Sequence, residues 1–198
     1  MKYDFETLVN RKGTGSSKWG WMYEALPNAG EDVVPLSVAD MELKNPPAII
    51  EGLKKYLDNI ILGYTGETEH YYESVISWME RRHGFSPKKE WFIMTAGVVP
   101  GIKEMVGAFT KPEDSVLMLT PVYYPFYMTV EEQGRKVLGS ELILKDNEYS
   151  IDFEDFAEKA ARPETTLFIL CSPHNPIGRV WTKEELLKLA EICYENNV

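Results

Sequence analysis

Three short stretches hold the residues best suited to chemistry. The first, Thr95-Ala96-Gly97-Val98-Val99-Pro100-Gly101, is a turn of small residues in front of an apolar, helix-spaced run. Gly97 lets the backbone come close to a ligand, and the free amides of Gly97, Val98 and Val99, with the helix dipole behind them, suit a phosphate or carboxylate. A plain strand-to-helix turn would look the same. The second stretch, Thr120-Pro121-Val122-Tyr123-Tyr124-Pro125-Phe126-Tyr127, carries four aromatics in five positions where a turn is normally polar. Tyr123, nearest the end of the preceding strand, is the candidate to stack on a flat, conjugated ligand. Phe126 and Tyr127 read instead as a plug over the core or a subunit contact. In the third, Cys171-Ser172-Pro173-His174-Asn175-Pro176-Ile177-Gly178, two prolines fix the backbone around Asn175. An amide held this way donates to a ligand oxygen at small entropic cost, although an Asx-type turn also explains it. His174 has no acid or metal-ligand spacing around it and is expected to be structural.

The elements that must position these stretches alternate in type. Pro46 and Pro47 suit the first turn of a helix carrying Ile49, Ile50, Leu53, Tyr56 and Leu57 at helical spacing, and a second helix is expected over 68–82 with Gly84 as its stop. Strands are then expected over 91–95, 115–119, 136–142 and 166–171, with helices over 98–109, 124–133 and 152–161 and a last one opened by Thr182, whose pairing with Glu185 matches a capping box. Such alternation implies parallel strands with crossover helices: an α/β fold, an open, mainly parallel sheet with helices on both faces, with ligands beyond the carboxyl ends of the strands. Residues 1–45 lack long helical periodicity and read as an N-terminal arm with the start of a small domain, residues 46–198 as an incomplete large domain. Within the arm, Gly13-Thr14-Gly15-Ser16-Ser17-Lys18 lacks the spacing of a phosphate-binding P-loop and no apolar strand leads into it.

Composition narrows the classes. The 198 residues are 44% hydrophobic and 26% charged, enough for one substantial core, and the net charge of −10 opposes binding to nucleic acid or an anionic membrane. No apolar run is long enough to span a bilayer, and Met1-Lys2-Tyr3-Asp4-Phe5-Glu6 has no apolar signal core, so a cytoplasmic protein is expected. Cys171 and Cys193, in no Cys-x-x-Cys spacing, suggest neither a disulfide framework nor a thiolate metal site and are expected in the core.

Together the three turns resemble the pyridoxal-phosphate enzymes of fold type I, in the class I/II aminotransferase superfamily. Ser172-Pro173-His174-Asn175-Pro176-Ile177-Gly178-Arg179-Val180-Trp181 is the most specific element. Gly13-Thr14-x-Ser16-x-Lys18-Trp19, Val38-Ala39-Asp40-Met41, Gly63-Tyr64-Thr65 and Pro121-Val122-Tyr123-Tyr124-Pro125-Phe126 are similar to the cystathionine β-lyase (carbon-sulfur lyase) branch. The resemblance implies pyridoxal 5'-phosphate as cofactor. Gly97, Val98 and Val99 would bind its phosphate, with Val98 standing where many relatives have a hydroxyl, so that the backbone carries more of that task. Tyr123 would stack on the pyridine and Asn175 would hydrogen-bond its phenolic oxygen. Ala39, Tyr124 and Asn175 fall on the side of the amino-acid substrate, and Tyr64 would reach the cofactor phosphate of a neighbouring subunit, which implies a homodimer; a buried tyrosine between helices is the other reading of Tyr64. The family binds its cofactor through a lysine and pairs the pyridine nitrogen with an aspartate. Both would lie beyond Val198, so the chain is expected to be the front half of a longer enzyme, inactive alone. The implied activity is α,β-elimination from cystathionine- or cysteine-like amino acids, giving pyruvate, ammonia and a thiol. An aminotransferase is the alternative within the family. A truncated, non-catalytic dimeric interaction or regulatory protein is the alternative from another class.

Overall fold

The computed structural model describes residues 3–30 and 32–198. The chain divides into two units, Met1–Trp78 and Met79–Val198. The first contains helices α1 (Ser17–Ala25) and α2 (Pro47–Leu57) and most of α3 (Glu69–His83). Helix α1 lies inside the stretch read as an N-terminal arm with the start of a small domain. Only Lys18 and Met22 of it are buried, one turn apart, so half of its inward face is a cation and no apolar repeat announces it. The Lys18 ammonium donates to the Asp40 carbonyl at 2.7 Å and pairs with the carboxylates of Asp40, at 3.3 Å, and Glu42. Arg11 holds the same two acids at 2.6 and 3.6 Å. Arg11 and Lys18 together hold the Asp40 and Glu42 carboxyls below the ordinary carboxylate range. The Val9 amide donates to the Glu42 carbonyl at 2.6 Å beside an antiparallel bridge of Leu8 to Leu43. Helix α2 starts on Pro47, and α3 ends at His83 and is followed by Gly84, whose φ of +63° is the left-handed stop expected there.

The second unit is built on a three-stranded parallel sheet in the order β2-β1-β5: β1 (Ser115–Thr120), β2 (Lys136–Glu141) and β5 (Thr165–Ile169). Helices α4 (Val98–Phe109) and α5 (Pro125–Glu131) cover one face, where Val106, Phe126 and Val130 pack on Val116 and Met118. Helices α6 (Phe153–Ala160) and α7 (Lys183–Asn196) cover the other, where Phe156, Ala160 and Leu189 pack on Leu117 and Leu119. Alternate residues of β1 thus feed opposite cores, which is why its sequence is continuously apolar. The expected helices on both faces are present.

Three details differ from the sequence reading or extend it. Residues 91–95 are not a strand: Lys89–Trp91 forms a 3₁₀ turn, the residues after it join neither sheet formed by the described residues, and Ile93 is largely exposed. A hairpin of β3 (Ile143–Lys145) and β4 (Glu148–Ser150) follows β2, closed by Asp146 and Asn147 at φ +52° and +63°, as a two-residue primed turn requires. The cysteines are half-buried and unpaired, at the margins of the two cores. The predicted capping box of α7 forms in full between Thr182 and Glu185, and α6 has a cap of its own in Asp152, which accepts from the Glu154 and Asp155 amides.

One set of polar cross-ties lies at the amino ends of the strands. Asp114 accepts from the Lys111 amide at 2.8 Å and the Thr166 hydroxyl at 3.0 Å, Arg135 donates to the Thr110 hydroxyl and carbonyl at 2.9 and 2.8 Å, and the Ser115 amide donates to the Glu164 carbonyl at 2.6 Å. Among the described residues no helix is long and apolar enough to cross a membrane, and no cluster of His, Cys, Asp and Glu could hold a metal ion.

Candidate functional site

At the opposite end of the sheet, the loops that leave the carboxyl ends of β1 and β5 emerge side by side, because the two strands are hydrogen-bonded neighbours running the same way. The loop after β1 carries Tyr123 and Tyr124 into the start of α5; the loop after β5 carries His174 and Asn175. Tyr123 is half-buried, its ring 5.6 Å from that of Tyr124 and 5.8 Å from Phe126, the latter nearly perpendicular at 80°. This edge-to-face contact fixes the plane of the Tyr123 ring. Phe126 is buried in the core as the sequence suggested, and Tyr127 packs beside it. Tyr124 is exposed and, with Val99 and Pro100 of α4 and Pro125 and Met128 of α5, lines a cleft of about 440 Å³. The α4 and α5 starts therefore share one recess.

Helix α4 opens on Gly97, at φ +140° and ψ 169°, a conformation reserved for glycine. Gly97 has no side chain to cap this terminus and Val98 is 77% exposed, so the first amides are left without a cap at the positive end of the helix dipole. The Thr95 hydroxyl donates to the Gly97 carbonyl at 2.9 Å, bracing the turn from behind. Gly101 keeps that brace in place, since a Cβ there would meet the Thr95 hydroxyl oxygen at 3.2 Å.

The loop after β5 is tightly tied. The His174 amide donates to the Arg179 carbonyl and the Gly178 amide to the His174 carbonyl, both at 2.7 Å, closing a small ring that presents Asn175 at the surface. The Asn175 amide donates to Cys171 Sγ at 3.4 Å, and the Trp181 indole N–H to the Cys171 carbonyl at 3.0 Å. Arg179 lies 4.6 Å over the Trp181 ring and pairs with Glu185 at 2.8 Å, fastening the loop to the capped end of α7. The His174 side chain is buried, its Nε2 lies 2.9 Å from the Pro121 carbonyl and its ring stands edge-on to Trp181 at 5.3 Å. Burial pushes the His174 pKa below its ordinary value, against the pull of the Pro121 and Cys171 backbone. The sequence places it as a structural residue, and the structure adds the atom it is bonded to. Its place between two prolines, beside Asn175 and seven residues before a buried tryptophan, was the available signal.

The remaining expected site residues lie in the first unit. Ala39 is exposed, one residue before the carbonyl that Lys18 grips, and Tyr64 is fully exposed between α2 and α3. The alternative for Tyr64, a buried tyrosine between helices, does not describe its position in this structure.

Residues 31–198 match the family described as aminotransferase class I and II. Cystathionine beta-lyase PatB of Bacillus subtilis is 45% identical over 195 residues, 98% of this chain and 50% of that protein. The crystal structure of cystalysin from Treponema denticola, which contains a pyridoxal 5'-phosphate cofactor, superposes with a TM-score of 0.96 at 50% identity, covering all of this chain and 50% of that one. A pyridoxal-phosphate-bound C-S lyase from Staphylococcus hominis superposes at 0.91 with 33% identity, again over 100% of this chain and 50% of its own. The chain spans about half the length of the curated relatives it matches. With its match extending from residue 31 to residue 198, the chain belongs to the aminotransferase class I and II family.

Proposed function

We propose that this chain is part of a pyridoxal-phosphate-dependent carbon-sulfur β-lyase acting on cystathionine- or cysteine-like amino acids. The observation that carries the reading is the end of the sheet at which an oriented tyrosine ring, a rigidly presented asparagine and an uncapped helix N-terminus stand on neighbouring loops. That donor set fits the cofactor. Uncapped amides behind a glycine-only turn suit a phosphate, a ring of fixed plane suits a flat pyridine, and an exposed amide suits a phenolic oxygen. The similarity to cystalysin and to the Bacillus subtilis lyase favours elimination over transamination.

On this reading the Gly97, Val98 and Val99 amides hold the phosphate, and Tyr123 covers one face of the ring and keeps water from it. Asn175 would donate to the phenolic oxygen and stand with Tyr124 on the substrate side; the family resemblance assigns the Ala39 amide to the substrate carboxylate. Tyr64, projecting from its loop, reaches the phosphate site of a second copy in a homodimer. Bound pyridoxal phosphate supplies the electron sink that lets an amino acid lose its α-proton and a β-sulfur substituent. The reading places the lysine that anchors the cofactor beyond Val198.

The whole protein, incubated with pyridoxal phosphate and reduced with borohydride, should carry one phosphopyridoxyl group by intact mass. With cystathionine or cysteine it should release pyruvate without a keto-acid acceptor. Turnover strictly dependent on 2-oxoglutarate would make it an aminotransferase, and absence of any specific adduct would remove the enzymatic reading.

A further inference from the structure

We infer that His174 is the positioning residue that sets the spacing between the two loops gripping the cofactor. The inference rests on the proposed function, because the groups it positions, Tyr123 and Asn175, are those assigned there to the ring and its phenolic oxygen. The geometry is specific. A carbonyl oxygen can only accept, so the 2.9 Å contact between His174 Nε2 and the Pro121 carbonyl requires the proton on Nε2. Pro121 lies two residues before Tyr123, and His174 is the residue before Asn175. One hydrogen bond therefore joins the loop after β1 to the loop after β5. The imidazole is 1% exposed and held on its other side by the edge-on Trp181 ring, which is itself 3% exposed. Its backbone is pinned through the Arg179 carbonyl, and Arg179 is pinned to Glu185 of α7. Neither loop can slide along the sheet end without breaking this bond.

Three substitutions in the whole protein test the inference. A glutamine amide reaches the place of Nε2, an asparagine amide reaches only that of Nδ1, and phenylalanine keeps the ring against Trp181 without a donor. Losing one net hydrogen bond of this kind corresponds to about a tenfold change in an equilibrium. His174→Phe and His174→Asn should therefore weaken pyridoxal phosphate binding about tenfold, and His174→Gln should stay within about threefold of the parent. At saturating cofactor, the visible circular dichroism of the bound chromophore should change in the first two and be retained in His174→Gln, a signature of ring orientation that a purely structural role would not move. If His174→Phe does not fold, the Gln and Asn pair still isolates the Nε2 donor. Equal affinity and an unchanged dichroic band in His174→Asn and His174→Gln overturn the inference. A parent protein that binds no pyridoxal phosphate fails the functional reading instead, and a parent that binds it while the variants are indistinguishable fails only this one.

Discussion

Replacing Gly97 by alanine probes most directly the turn proposed to hold the phosphate. The nearest heavy atom that the new Cβ would meet is Pro100 Cδ at 3.6 Å, an ordinary contact, so the site has room for a methyl group. The penalty is in the backbone: φ +140° with ψ 169° falls in a region that only glycine occupies comfortably, and forcing another residue there costs about 1–3 kcal/mol. The chain has two responses. If the turn holds its shape, the apo protein loses that much stability. If the turn relaxes by rotating the peptide ahead of Val98, stability is retained but the amides swing away from the phosphate, and cofactor affinity falls by about 5- to 150-fold. Urea unfolding of the apo protein and a cofactor titration, run on the same variant, must together account for the penalty. The control is Gly52→Ala in α2, an exposed helical position with open space and no special φ, where the same change should stabilise by about 0.5–1 kcal/mol. A Gly97→Ala protein within about 0.5 kcal/mol of the parent in stability and within threefold in cofactor affinity would refute the reasoning.

Three further outcomes are expected. Thr182→Ala removes the side-chain acceptor of the α7 capping box and should cost about 0.5–2 kcal/mol in unfolding free energy, readable by urea denaturation, with cofactor affinity little changed. Tyr123→Ala removes the oriented ring and should weaken cofactor binding by about 2- to 13-fold in a fluorescence titration; an unaltered affinity would count against stacking there. The third concerns pH. The His174 pKa is lowered in the folded state, so the unfolded chain binds more protons just below the ordinary value of 6.5, and apo stability should fall as pH drops through that value. The depressed carboxylates Asp155 and Glu185, with ordinary values of 3.8 and 4.5, lose their contribution only at lower pH, so the windows separate. His174→Gln should flatten the upper window, and a slope equal to the parent's would show that another group produces it.

Much of the second unit was legible because each helix there advertises itself. Helices α4 and α6 carry apolar residues at helical spacing, and α7 is announced by Thr182 and Glu185 three residues apart. The order β2-β1-β5 is a different kind of fact: alternation demands parallel crossovers, but which strand sits in the middle depends on which cores the faces of β1 can fill. The expected strand at 91–95 shows the limit from the other side. Phe92, Ile93 and Met94 have the composition of a strand, yet the Phe92 amide turns back to the Lys89 carbonyl at 3.1 Å and closes the 3₁₀ turn instead of joining the sheet. Helix α1 escaped notice because Lys18 occupies an inward position, and the short hairpin because its three-residue strands are too brief to show alternation, although Asp146-Asn147 is suitable turn chemistry. Of the residues proposed for the site, Tyr123 and Asn175 do follow strands, β1 and β5, as the sequence suggests, whereas Gly97 follows a segment that is no strand and still opens α4. The bond from His174 to Pro121 was not legible, since residues 53 apart in sequence become neighbours only through the adjacency of β1 and β5.

The polar cross-ties around Asp114, Thr110, Arg135 and Glu164 sit at one end of the sheet, and the loops bearing Tyr123 and Asn175 sit at the other. None of the bonds made by Asp114, Thr110, Arg135 and Glu164 involves a residue of those loops, so exchanging Tyr123 or Asn175 leaves that bracing whole. The surface that meets a ligand can be rewritten there without touching the fastenings at the far end of the same strands.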